Sequence, residues 1–448
     1  MQLKYNPEEA MKIKVPCGNQ ELAVTLPSRW KYQGELLPAP IHPPKNSAAL
    51  VRESLENPIR SPRLSNMNLK GKKVTVVIDD LTRPTPVDLI FPHVLEELTR
   101  AGLPDITIVI ALGTHEAMNP EEIKARLGVS DIQPFTVVNH NCHREEELRY
   151  LGETPMGTRV KINKHVADAD LVVSIGTIEP HLLVGFGGGL KNIIPGCSGM
   201  ESIAATHLMG NASTRFCNVG KMGEEVLNRR ELESGALLFS GAYFIINTVL
   251  SPGKEIIGVF SGHPVAAHRK GCELAALVYS IPVREKYDIL LINSYPMDTD
   301  LRQGTKCLAN VLPGAQKDAL LIAFMCCRRG VGDMLAGEPF LSPEETQKLA
   351  RKVGTEKLIE IREKQQGSLS MDGKYMFQFL TEVARRHRIL VYSQNLPGDT
   401  GECLGSFEFF SDLDKLMARA DELAPGERKT AFIPYGGMNY PVPAPGLG

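Results

Sequence analysis

The chain has 448 residues, 43% of them apolar and 23% charged, with a formal charge of −2 and an isoelectric point near 6.6. So even a balance gives no electrostatic pull toward nucleic acid or an anionic membrane surface, and the length suits two or three domains, each with its own core. The longest apolar runs, DITIVIAL and ALLIAFM, are too short to cross a bilayer. The opening residues lack a cationic segment followed by an apolar one, so a cytoplasmic location is expected. Nine cysteines, an odd number without CxxC pairs, read as reduced thiols.

In chain order, MKIKVP and ELAVTLP within residues 11–27 predict two short strands forming a small N-terminal sheet. A connector rich in proline and asparagine with one helix follows over 36–70. An alternating pattern then begins. KKVTVVID (72–79) is the β-branched type of run found in buried parallel strands. PVDLIFPHVLEELTRAG predicts an amphipathic helix ending at Gly102, and DITIVIAL (105–112) the next strand. NPEEIKARLG carries Asn119 as N-cap, Pro120 in the first turn and Glu122 as capping-box partner. FTVVNH and ADLVVSIGT (169–177) continue the series. A second series starts near 288 with YDILLINS, then ALLIAFM (319–325) and RILVYS (388–393), with charged helices between 340 and 386. The expected fold is α/β: two α/β domains with largely parallel doubly wound sheets and an active-site cleft between them. The predicted division is a cofactor-binding domain over 1–283, completed by a strand KTAFIPYGG within 425–448, and a second domain over 284–424.

Ligands of open α/β sheets bind at the carboxyl ends of the strands. Those ends carry Asp80, Thr82 and Arg83; His115; Glu179, His181 and Lys191; and Arg302, Gln303 and Lys306. Asp79 reads as a helix N-cap. The NHNCH cluster (139–143) lacks a fitting second ligand pair and reads as structural, as do His93, His165, His263 and His268. The stretch HLLVGFGGGLKNIIPGCSGMESIAATH, 181–207, is rich in glycine, which permits close backbone approach and unusual dihedrals. It is no standard nucleotide loop. Leu190 stands where GxGxxG needs its last glycine, and Leu190-Lys191-Asn192 replaces the G-K-[ST] of a Walker loop.

DDLTRP, GTHE, EPHLLVGFGGGLKNIIPGCSG, ATH and RQGTK, in that order, resemble the nickel-pincer lactate racemase family. The central spacing of ten residues from His181 to Lys191 and sixteen more to His207 is its specific part. The resemblance implies a cofactor in which nickel is bound by a pyridinium-3,5-bisthiocarboxylate mononucleotide. It is tethered covalently through Lys191, with His207 completing the metal coordination and Asp80, Leu81, Thr82 and Arg83 contacting the nucleotide. It further implies His115 and His181 as paired proton donor/acceptors, Gln303 and Lys306 as substrate-holding residues, and cofactor-biosynthesis proteins as partners. A glycine loop fits such a group in two ways: close approach to a planar complex, and exposed N–H groups as a phosphate nest.

The chemistry asks for these parts. The Cα proton of a 2-hydroxy acid is poorly acidic beside a carboxylate, whereas hydride removal gives a planar keto acid that can be reduced on either face. The hydroxyl proton must leave at the same time, and two enantiomers demand two histidines. One departure stands out: Arg302 occupies a position where lactate racemases place an aromatic residue, and Trp30 is the one tryptophan, leaving Lys374 or Tyr375 in a region where the family has another. A guanidinium there points to malate, hydroxyglutarate or a sugar acid rather than lactate. The competing readings are an NAD-dependent 2-hydroxyacid dehydrogenase, which needs a Rossmann fingerprint, and a non-catalytic homologue, which predicts loss of a key histidine or lysine.

Overall fold

The computed structural model describes residues 11–18, 20–331, 341–396 and 407–444. The chain divides into two compact units, one made of Pro40–Gly210 and Gly220–Val278, the other of the residues up to Ala39, Asn211–Val219 and the chain from Tyr279 on.

The first unit is built on a six-stranded sheet in the order Ile256–Gly262, Ala242–Leu250, Leu171–Thr177, Lys73–Asp79, Asp105–Ala111, Thr136–Asn139. All neighbours are parallel except the first pair. The β-branched runs form the central strands because both faces are covered, and Val74, Val76 and Ile78 pack with Ile90, Phe91 and Val94 of helix Val87–Arg100. Helix Pro120–Leu127 begins with the predicted capping box of Asn119 and Glu122 and ends at Gly128 with φ 67°. Strand order reverses between Lys73–Asp79 and Leu171–Thr177, so the loops after these two strands flank a topological switch point.

The second unit carries another six-stranded sheet, all parallel, in the order Glu408–Phe410, Arg388–Tyr392, Ala315–Phe324, Tyr287–Asn293, Arg428–Ile433, Trp30–Glu35. This corrects two expectations. The strand near 430 does not complete the first unit: Thr430 to Ile433 pair with Ile289 to Ile292. The N-terminal hairpin, Lys12–Cys17 against Gln20–Thr25, also belongs here, because Ile13, Val15, Val24 and Trp30 are buried with Ile289, Leu291 and Phe432. The segment Asn211–Val219 joins the same unit through Phe216, whose ring meets Tyr375 and Phe379 edge-on at 5.5 and 5.4 Å. No helix among the described residues is long and apolar enough to cross a membrane.

Candidate active site

At the switch point of the first sheet, the end of Lys73–Asp79 turns sharply. Asp80 is buried, and its Oδ1 accepts from the Thr82 N–H at 2.6 Å. Its Oδ2 lies 2.6 Å from Nδ1 of His115, which stands beyond the neighbouring strand Asp105–Ala111. Burial alone would raise the Asp80 carboxyl, but the hydrogen bond and charge of His115, with Arg83 nearby, hold it well below its usual range. A carboxylate accepts only, so Nδ1 of His115 carries the hydrogen and the neutral ring keeps its lone pair on Nε2. Asp79 is not an N-cap. Its buried carboxylate pairs with the Arg126 guanidinium and accepts from Thr85 Oγ1 at 2.5 Å, while Pro86 precedes the helix.

On the other side of the switch point, Arg83 Nε lies 3.4 Å from Glu179 Oε1, joining the two strand-end loops. Glu179 Oε2 is buried with no hydrogen-bond partner among the described residues. His181, also buried, sits in a two-residue strand against Gly185–Phe186, and its Nδ1 accepts from the Leu183 N–H at 3.2 Å. The neutral ring of His181 therefore bears its hydrogen on Nε2, the opposite tautomer to His115.

Lys191 lies in the single turn Gly189–Asn192. Its side chain is half-buried, and its Nζ makes no hydrogen bond or ion pair with a described residue. Burial, with the charge of Arg83 second, brings the amine down to about 7. His207 lies near the end of helix Met200–Leu208, half-buried, with Nδ1 2.9 Å from the Ile203 carbonyl. That oxygen requires a hydrogen on Nδ1, so the lone pair of the neutral ring is again on Nε2.

The glycine loop serves the protein more than the sequence suggests. A Cβ on Gly188 (φ 71°) would come within 2.9 Å of Ile178 and 3.0 Å of Asn247, and one on Gly189 (φ 63°) within 3.0 Å of the His268 ring. These close approaches are to buried side chains. The N–H groups of Gly187 and Gly189 are taken by the Glu179 carbonyl at 2.6 Å and Asn247 Oδ1 at 2.7 Å, so they do not form the expected phosphate nest. Asn247, Arg229 and His268 were missed as site residues. The sequence reads His268 only as structural, and its bond to the Gly187 carbonyl at 2.7 Å has no local sequence signal.

Leu81 is exposed on the loop after Asp80. Arg302, Gln303 and Lys306 are in the second unit, on consecutive helical turns Leu301–Gly304 and Lys306–Val311 after strand Tyr287–Asn293. Asp300 caps the first turn by accepting from the Gln303 N–H at 2.8 Å. Tyr375 is buried against Phe216, and Lys374 lies 3.9 Å from Glu363. Buried His140 of the NHNCH cluster meets the Ser198 carbonyl at 2.9 Å, in keeping with a structural role.

Comparison with known proteins adds a third kind of observation. Residues 17–216 match the family described as lactate racemase N-terminal domain. The lactate racemase of Lactiplantibacillus plantarum is 31% identical over 309 residues, 67% of this chain and 72% of that protein. That of Thermoanaerobacterium thermosaccharolyticum is 28% identical over 324 residues, 71% of this chain and 75% of that protein. The structure of the latter apoprotein is similar with a TM-score of 0.80 at 25% identity, covering 96% of this chain and 100% of that one. A protein from Thermotoga maritima, at 19% identity and a TM-score of 0.65 over 90% of this chain and 100% of that one, shares the fold.

Proposed function

The chain belongs to the lactate racemase family, and we propose that it racemises or epimerises a 2-hydroxy acid with a nickel-pincer group tethered at Lys191. The observation that carries this reading is the pair of strand-end imidazoles held as opposite tautomers, His115 by Asp80 and His181 by the Leu183 N–H.

The donor set fits the group. An amine near 7 is substantially neutral in ordinary conditions, as condensation with a thiocarboxylate requires. His207, its Nδ1 hydrogen on a backbone carbonyl, has the arrangement common to metal-binding imidazoles. A pincer ligand that brings its own sulfur and carbon donors asks the protein for a single imidazole, which His207 can supply. When bound, the group would supply reversible acceptance of a hydride from the substrate carbon.

The residues then divide the proton work. Nε2 of His115 takes the hydroxyl proton, and Asp80 stabilises the imidazolium that results. His181 presents its Nε2–H to the substrate oxygen. Delivering a full proton from this ring requires the imidazolium, whose added Nδ1 hydrogen displaces the Leu183 N–H. Arg83, already engaged by Glu179, adds positive charge beside the developing alkoxide. Gln303 and Lys306 would hold the substrate carboxylate. Arg302, one helical turn from Lys306, would meet a distal polar group, which favours malate, hydroxyglutarate or a sugar acid.

A dehydrogenase binding a dinucleotide is disfavoured by the same loop, since the N–H groups of Gly187 and Gly189 already have protein partners. The test is the full chain co-produced with cofactor-making proteins, followed by nickel analysis, peptide mass mapping and chiral chromatography of 2-hydroxy acids. Added mass on Lys191 together with interconversion supports the reading. Full activity with an unmodified Lys191 overturns it.

A further inference from the structure

Behind the loop that presents Lys191 lies Arg229, on helix Leu227–Ala236 and only 2% exposed. Its guanidinium takes three loop carbonyls: Nε donates to Val184 at 3.3 Å, Nη1 to Gly188 at 3.3 Å, and Nη2 to Phe186. The carbonyl between them, Gly187, is taken by His268 at 2.7 Å. The Gly188 oxygen has a second donor, the Lys191 N–H at 3.3 Å, so one carbonyl joins the arginine to the lysine backbone. Three fork-shaped donors on three peptide oxygens fix the planes of a loop that glycine would otherwise leave free.

The charge of Arg229 is poorly compensated. Glu233 is 3.7 Å away, yet its carboxylate is gripped by both terminal nitrogens of Arg269 at 2.8 and 2.7 Å. His268 is fully buried and held well below its ordinary value by that burial, so it stays neutral. We infer that Arg229 is a positioning residue for Lys191, fixing the turn that carries the lysine and placing a poorly compensated buried cation behind it. This inference rests on the reading of Lys191 as the attachment residue.

The physical consequence is a lysine that resists protonation. A cation in a poorly solvated interior disfavours a second one nearby, and burial of Lys191 and the charge of Arg83 act in the same direction. Glu179 and Asp80 act in the opposite direction. The nucleophilic form of the amine is the neutral one, so Arg229 increases the reactive fraction below the ordinary lysine range.

The test uses the full chain produced without cofactor, acetylated by N-hydroxysuccinimidyl acetate between about pH 5 and pH 10, with labelling of Lys191 read by peptide mass. The wild-type midpoint is expected near 7. Arg229→Gln moves the midpoint up by about one unit, a roughly tenfold loss of labelling at pH 6. Arg229→Lys keeps the midpoint but lowers the plateau rate, because the charge stays and the fork is lost. His268→Gln, which changes no charge, keeps the midpoint. A folded Arg229→Gln, judged by circular dichroism, with wild-type midpoint and plateau overturns the inference. Should that variant not fold, an unchanged plateau rate in Arg229→Lys overturns it. Failure of the cofactor to attach at Lys191 in loaded protein is a separate result, which removes the attachment reading and leaves the midpoints as measured.

Discussion

His115 Nδ1 lies 2.6 Å from Oδ2 of Asp80, across the carboxyl ends of two neighbouring parallel strands. The contact determines which nitrogen of the ring faces outward as a base, and it gives the protonated ring a buried counter-charge. Asp80 therefore orients a histidine, a role beyond the nucleotide contact that the family resemblance implies for it.

Asp80→Asn keeps the shape and removes the charge. A loss in kcat of roughly 10²- to 10⁴-fold is expected, the range over which positioned acid–base groups act. Stability supplies an independent readout. The folded carboxyl is held below its ordinary 3.8, so its contribution is complete above that value and is lost as pH falls through the lower folded value. The difference in urea unfolding free energy between wild type and Asp80→Asn should be constant near neutrality and shrink below about pH 4. A difference that grows in acid would contradict the assigned shift.

The two histidines are expected to be distinguishable by nitrogen-15 NMR of histidine-labelled protein. His115 should show its hydrogen on Nδ1 and His181 on Nε2. His115→Ala and His181→Ala should each abolish interconversion, while one of them still forms a trace of keto acid from a single enantiomer. Identical tautomers in the two rings would remove the basis for dividing their roles.

His207→Ala separates metal binding from tethering. Nickel should fall to background after gel filtration of loaded protein, with the visible absorption lost, while the added mass on Lys191 persists. Normal nickel content in that variant would show that the Nε2 of His207 is not a ligand.

Substrate choice is expected to follow Arg302. Arg302→Tyr should weaken kcat/KM for the preferred longer acid by about 1–3 kcal/mol more than for lactate, the worth of a charged hydrogen bond. Chiral chromatography of lactate, malate, 2-hydroxyglutarate and gluconate reads this directly. Fastest turnover of lactate, untouched by the substitution, would defeat the substrate assignment and leave the mechanism standing.

Much of the molecule was written locally in its sequence. The runs KKVTVVID, DITIVIAL and ADLVVSIGT formed strands because their branched side chains suit a sheet covered on both faces. Asn119, Pro120 and Glu122 set a helix start by contacts within four residues. His115, His181 and Lys191 were equally legible as candidates, since each lies just beyond a predicted strand or glycine run, whereas His207 was legible only through the motif order and spacing that carry the family resemblance. Tertiary structure decided what depends on distant partners. Asp79 looked like a cap but meets Arg126, 47 residues away, and Asp80 meets His115, 35 residues away. Trp30–Glu35 joined the second unit's sheet as its edge strand and the hairpin packed in the same core, because their apolar side chains are buried with Ile289 and Phe432. Arg229 and His268 carried no motif at all. Their role arises from burial beneath a loop some forty and eighty residues away, where backbone carbonyls must find donors once water is excluded.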